Sequence, residues 1–274
     1  MTPPAGRASV TLVDAHVHLY PCYPPAAFLD AAAANIAAAS AALGLATATP
    51  GVLMLTEIAG MDAFGALAAG RLDCGAWQIT PSAEPVALHA ACPGRPPLVL
   101  VAGRQIVSRE RLEILALGVR GGPPDDKPAR EVLAALAATD ALTVLPWGLG
   151  KWTGRRKTLA RNLLQRPPVA RLYAGDNGGR PAVLPRPRLL AFAERHGCPV
   201  LPGSDPLPLA VEVGKPGRYG FVAECPLDPE RPFGALRRWL DDRRASPAPY
   251  GRLERLAVVV HRQAALRWGR WTGR

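Results

Sequence analysis

The chain has 274 residues, with 33 Lys+Arg against 22 Asp+Glu and a formal net charge of +11. At 49% hydrophobic and 20% charged it is too apolar for a disordered polymer, and its length is ample for a sizeable core. No apolar run reaches the roughly 20 residues of a membrane span, so none is expected.

Short apolar runs alternate with helical stretches. Val10–Leu19 reads as a strand, and Ala26–Leu43 as an alanine-rich helix stopped by Gly44. Gly51–Glu57 is a strand, followed by a helix that starts near Asp62, an acid suited to a first turn. Trp77–Thr80, Val86–Ala91 and Leu98–Val101 are short strands, and Gln105–Val107 with Leu112–Leu117 reads as a hairpin-like excursion. The loop GGPPDDKP at 121–128 introduces a helix over Ala129–Thr139. Strands Ala141–Leu145, Ala170–Tyr173, Val200–Leu201 and Gly220–Ala223 then alternate with helices Thr153–Leu164 and Arg188–His196. Helices Phe233–Asp242 and Leu253–Trp268 finish the chain. Strands separated by helices predict βα units, a parallel sheet and a (β/α)8-like barrel. The expected organisation is one domain over residues 1–274, with the helices of about 231–274 packed on it.

Val13-Asp14-Ala15-His16-Val17-His18 ends the first strand. Strand side chains two apart share a face, so Asp14, His16 and His18 are expected on one side. Two of only five histidines fall in this window, and two neutral imidazoles can reach one divalent cation. A second apolar strand ends at Pro199-Val-Leu-Pro-Gly-Ser-Asp205. Its turn presents a carboxylate that either ligates metal and takes up a proton or caps a helix.

Together His16, His18 and Asp205 resemble the metal-dependent hydrolases of the amidohydrolase superfamily and the neighbouring PHP-type phosphoesterases. Those families open with HxH on the first barrel strand and close with an aspartate on a late one. The resemblance implies hydrolysis by metal-activated water, with one divalent ion, zinc or manganese, and Asp205 as ligand or base. Further histidines on middle strands are missing: none occurs between His89 and His196. Glu57 or Asp176 would have to complete the ligand set.

Arginine outnumbers lysine 29 to 4, and the excess charge lies in two blocks. Residues 151–200 hold 11 basic and two acidic side chains, and residues 231–274 hold 11 and three. The first block opens on Trp147-Gly-Leu-Gly-Lys151-Trp-Thr-Gly-Arg-Arg, a glycine-rich turn suited to an anion although not a Walker A loop. Lys151, Arg104, Arg180, Trp147 and Asn177 are the candidate contacts for an anionic small-molecule substrate, with a phosphate ester foremost. Lys151 would polarise the anionic group. Two other readings share the features: a non-catalytic protein that binds an anionic sugar, nucleotide or partner, and a nucleic-acid binder in which Trp239, Trp268 and Trp271 stack on bases. Five scattered cysteines without a CxxC pair predict free thiols in a reducing compartment, hence the cytoplasm. The opening MTPPAGRASV lacks a basic segment leading into an apolar one, so no signal peptide is expected.

Overall fold

A computed structural model describes residues 10–272, with side chains to residue 266. The expectation about the first residues and the stacking role of Trp268 and Trp271 lie outside the described residues. β1 (Thr11–Val17) is buried along its whole length, as a central strand covered on both faces must be. It pairs in parallel with β2 (Gly51–Leu55) and antiparallel with β11 (Tyr219–Ala223). The connection from β1 to β2 is α1 (Pro25–Ala42), whose proline opens the first turn and whose Phe28, Leu29 and Ile36 are fully buried. Each such side chain contributes about 1.5–3 kcal/mol on burial. A short helix, α2 (Ala63–Ala68), is capped by the Asp62 carboxylate, which accepts from the Gly65 N–H.

Next come five strands with no helix between them: β3 (Gln78–Pro81), β4 (Ala87–Ala91), β5 (Leu98–Val101), β6 (Gly103–Val107) and β7 (Glu113–Leu117). β3, β4 and β5 form antiparallel neighbours, as do β6 and β7. Ala102 alone separates β5 from β6, and the chain passes there from one sheet to another. A Cβ at Gly103 would lie 2.4 Å from the Leu55 carbonyl oxygen, so this corner accepts only glycine. The second half alternates: α3 (Ala129–Ala137), β8 (Leu142–Pro146), α4 (Gly154–Gln165), β9 (Leu172–Asn177), α5 (Arg188–Arg195) and β10 (Val200–Gly203). A 3₁₀ turn at Ala210–Glu212 precedes β11, followed by α6 (Pro232–Asp241), β12 (Pro249–Gly251) and α7 (Leu256–Thr272).

The result corrects the expected (β/α)8 barrel. Two mixed sheets form instead, a seven-stranded one ordered β12-β11-β1-β2-β5-β4-β3 and a five-stranded one ordered β10-β9-β8-β7-β6. The physical reason is connection length. Parallel neighbours need a long crossover, whereas the short links through residues 78–117 allow only hairpins and corners. Three packed regions follow. Helices α1 and α2 cover the outer face of the first sheet, and α3, α4 and α5 cover the outer face of the second. The inner faces meet in a shared core that joins Val13, Ala15 and Met54 to Leu115, Val144 and Leu201.

Candidate metal centre and its cavity

The two sheets come together at the C-terminal ends of β1 and β10. The Asp205 N–H donates to the His16 carbonyl at 2.8 Å. A Cβ at Gly203 would meet the His16 backbone nitrogen at 2.5 Å, so the strands approach through a glycine. A register irregularity between Asp14 and Val17 interrupts the pairing of β1 with β2. Val17 accordingly packs with the outer core beside Leu12, while Val13 and Ala15 face the inner one. Asp14 does not point where the histidines do. Its carboxylate accepts three backbone N–H groups, from Ser204 (2.8 Å), Gly217 (2.8 Å) and His16 (3.2 Å). Burial pushes that carboxyl up to about 7, against the pull of those bonds.

His16, His18 and Asp205 converge. The two Nε2 atoms are 3.1 Å apart and lie 3.4 and 3.5 Å from Asp205 Oδ1. A triangle with these sides has its corners about 1.9 Å from a common point, just inside the 2.0–2.2 Å of zinc–nitrogen and zinc–oxygen bonds. His16, His18 and Asp205 are therefore close enough together to hold one divalent cation. Burial holds His16 down to about 4, with Asp205 opposing. Burial alone would raise the Asp205 carboxyl, but His16, His18 and Lys151 hold it well below the usual carboxylate range. Two imidazoles and one carboxylate whose ligand atoms face one point are a donor set that could hold a divalent ion in an open three-ligand site. Asn177 donates to Asp205 Oδ2, leaving Oδ1 toward the histidines. The His18 ring stacks on Tyr20, with centroids 5.0 Å apart. Asp205 itself has φ 46°, a left-handed conformation that a non-glycine residue adopts at a cost.

These groups open into a cavity of about 630 Å³. Trp147, Lys151 and Asn177 line it together with His18 and Asp205. The Lys151 ammonium is fixed by Glu113, at 2.6 Å from both carboxylate oxygens. Burial would lower its pKa, but Asp205 and Glu113 raise it, so it remains a cation.

Four expected site residues stand elsewhere. Asp176 and Arg180 form a buried two-point pair at 3.1 Å, and the Tyr219 hydroxyl also donates to Asp176. Both charges are thus spent on one another. The Glu57 carboxylate accepts from the Phe64 N–H at 2.7 Å, fastening the start of α2. Arg104 and Ile106 share a face of β6, and Ile106 belongs to the core beneath α3. Alternation therefore gives the cavity Gln105 and Val107. His89 bonds the Pro229 carbonyl at 2.7 Å. Sequence reasoning missed Gln105, Glu113 and Arg111 in the wall. Only the strand parity of β6 would have signalled Gln105, and Glu113 is recognisable only as the partner of Lys151.

No protein-family model matches the chain, and no curated protein matches it. Among solved structures it is similar to PsfC from Pseudomonas syringae PB-5123, at 14% identity and a TM-score of 0.55, over 95% of this chain and 98% of that one. It is also similar to PfuEndoQ from Pyrococcus furiosus, named as a novel lesion-specific endonuclease. There the identity is 12% and the TM-score 0.50, over 84% of this chain and 55% of the other, about half of PfuEndoQ's length. At such identities the likeness is one of fold. No helix among the described residues is long and apolar enough to cross a membrane.

Proposed function

We propose that this chain is a metal-dependent hydrolase acting on an anionic small molecule, a phosphate ester by preference. The observation that carries the reading is the convergence of His16 Nε2, His18 Nε2 and Asp205 Oδ1 at the wall of a roomy cavity. A divalent ion held there, zinc or manganese, would polarise an ester oxygen and acidify a water molecule. The chain's own groups then divide the remaining work. His16 and His18 would supply ring nitrogens, one buried and the other stacked on Tyr20. Asp205 stays ionised, and Asn177 sets its rotation. Its Oδ2, turned away from the histidines, accepts from Asn177. Lys151, held by Glu113, presents a fixed positive charge to the negative charge that grows on the substrate in the transition state. The fold likeness to a protein named as an endonuclease, whose substrate is a phosphodiester, supports phosphate-ester chemistry without specifying this chain's substrate.

Metal analysis of gently purified protein tests the proposal. One equivalent of divalent metal is expected in the wild type, and His16→Gln and His18→Gln should each lose it. Hydrolysis of p-nitrophenyl phosphate should stop on chelation and return with Zn²⁺ or Mn²⁺. A wild type that retains no metal under any loading condition would overturn the reading.

A further inference from the structure

The charges around the cavity are mostly answered within the protein. Lys151 pairs with Glu113, and Lys215 lies 2.9 Å from Glu212 and 3.0 Å from Glu254. Arg262, on α7, pairs with Glu212 behind the wall. Two cavity-lining cations are left without a carboxylate among the described residues: Arg111 and Arg156. Arg156 stands in the first turn of α4, and one of its N–H groups donates to the Gly150 carbonyl at 3.0 Å. That bond fixes the guanidinium over the Gly148–Gly150 turn and leaves most of its five donors unspent. Arg111 is exposed, and its side chain makes no hydrogen bond among the described residues.

The backbone adds an independent observation. Only three non-glycine residues among those described have positive φ: Arg111 at 61°, Asp126 at 65° and Asp205 at 46°. Two of the three line this cavity. The Arg111 turn is closed by its own N–H donating to Ser108 at 2.8 Å, a position where glycine costs least. Arg111 thus combines a left-handed turn, a charge with no carboxylate partner among the described residues, and a side chain on the cavity wall. Glu113, two residues from Arg111, holds Lys151, and Arg156 bonds the carbonyl of Gly150, the residue before Lys151, so both arginines belong to segments joined by the Lys151–Glu113 pair.

We infer that Arg111 and Arg156 form an anion subsite for a phosphate-sized group on the wall of the cavity beside the Lys151–Glu113 pair. Two guanidinium forks suit a tetrahedral dianion, which can accept paired N–H bonds from each. The cavity, at about 630 Å³, has room for the organic remainder of a phosphorylated small molecule as well. The inference rests on the hydrolase reading only in calling the bound anion part of a substrate.

Binding of inorganic phosphate to chelator-treated protein, followed by calorimetry at low salt, is the test. Arg111→Gly and Arg156→Gln are each expected to weaken binding about tenfold, as loss of a charge-assisted contact does. Arg111→Lys should fall between them and the wild type. Both Arg111→Gly and Arg156→Gln should still take up one equivalent of Zn²⁺. Arg111→Gly should melt no lower than the wild type, because glycine relieves the left-handed turn; lost phosphate binding would then not reflect unfolding. Wild-type affinity in either variant, or no phosphate binding by the wild type, overturns the inference. If His16→Gln leaves metal content unchanged while the arginine variants lose phosphate, the hydrolase reading fails and the anion subsite stands.

Discussion

Asp14 shows how a single side chain decides where its neighbours can go. Its two oxygens collect N–H groups from β1, from the segment after β10 and from Gly217, three places far apart in sequence. Asp14→Asn keeps size and shape but has one acceptor oxygen instead of two, so an N–H must face another N–H. The expected loss is about 1–3 kcal/mol, the cost of an unsatisfied buried donor, read from the shift in urea midpoint. An unchanged midpoint would mean that the three bonds contribute nothing. His16, His18 and Asp205 were legible in the sequence because two-residue periodicity and strand ends are local features. Arg104 and Gln105 were exchanged for the same reason. Arg104 lies in β6, which begins at Gly103, and strand parity gives the cavity its neighbour Gln105. Arg180 and Asp176 illustrate another limit: a carboxylate three or four residues from an arginine looks like two site residues until the pair is seen closed.

Among elements, β1 and β10 matter most, since they carry the metal-ligand candidates and touch without forming a regular ladder. Gly203→Ala should force them apart, because the new Cβ would fall 2.5 Å from backbone and side-chain atoms of His16. A destabilisation of about 1–3 kcal/mol is expected from such overpacking. Zinc affinity, measured by competition with a chromogenic chelator, should drop about 10–100-fold, as when a ligand loses its support. Normal zinc affinity in this variant would show that strand contact does not set ligand geometry. Most helices and strands were legible within a residue or two, α1 and α3 for example, because their apolar spacing and their glycine or proline stops are local. Strand direction was legible only in the β6–β7 hairpin. Alternating strand and helix signals imply parallel neighbours, but the run from β3 to β5 carries the same apolar signature with antiparallel pairing. β12, only three residues long, left no signal of its own.

At the scale of the whole molecule, charge pairs fasten the last helix to the body. Glu212 is fully buried between Lys215 and Arg262, and Lys215 also reaches Glu254. Glu212→Gln would leave the buried Lys215 with Glu254 alone and the half-buried Arg262 without this carboxylate, at an expected loss of about 1–3 kcal/mol. Urea unfolding followed by tryptophan fluorescence would register it. A variant as stable as the parent would mean that α7 is held by its apolar face alone. The basic surplus also changes meaning at this scale, since four of the eleven basic residues of the first block, Lys151, Arg171, Arg180 and Arg186, are held in ion pairs. The topology of β1 has a kinetic consequence as well. One edge of this strand is covered by β2 at residue 51 onward, but the other waits for β11 at residue 219. During synthesis the first half of the chain therefore emerges with an apolar strand edge unpaired, and His16 and His18 lack their carboxylate until Asp205 has been made. Closing a loop of that length is slow compared with local contacts. The metal-ligand triangle should accordingly be among the last parts of the molecule to form, and a cation can reward folding only after nearly the whole chain is in place.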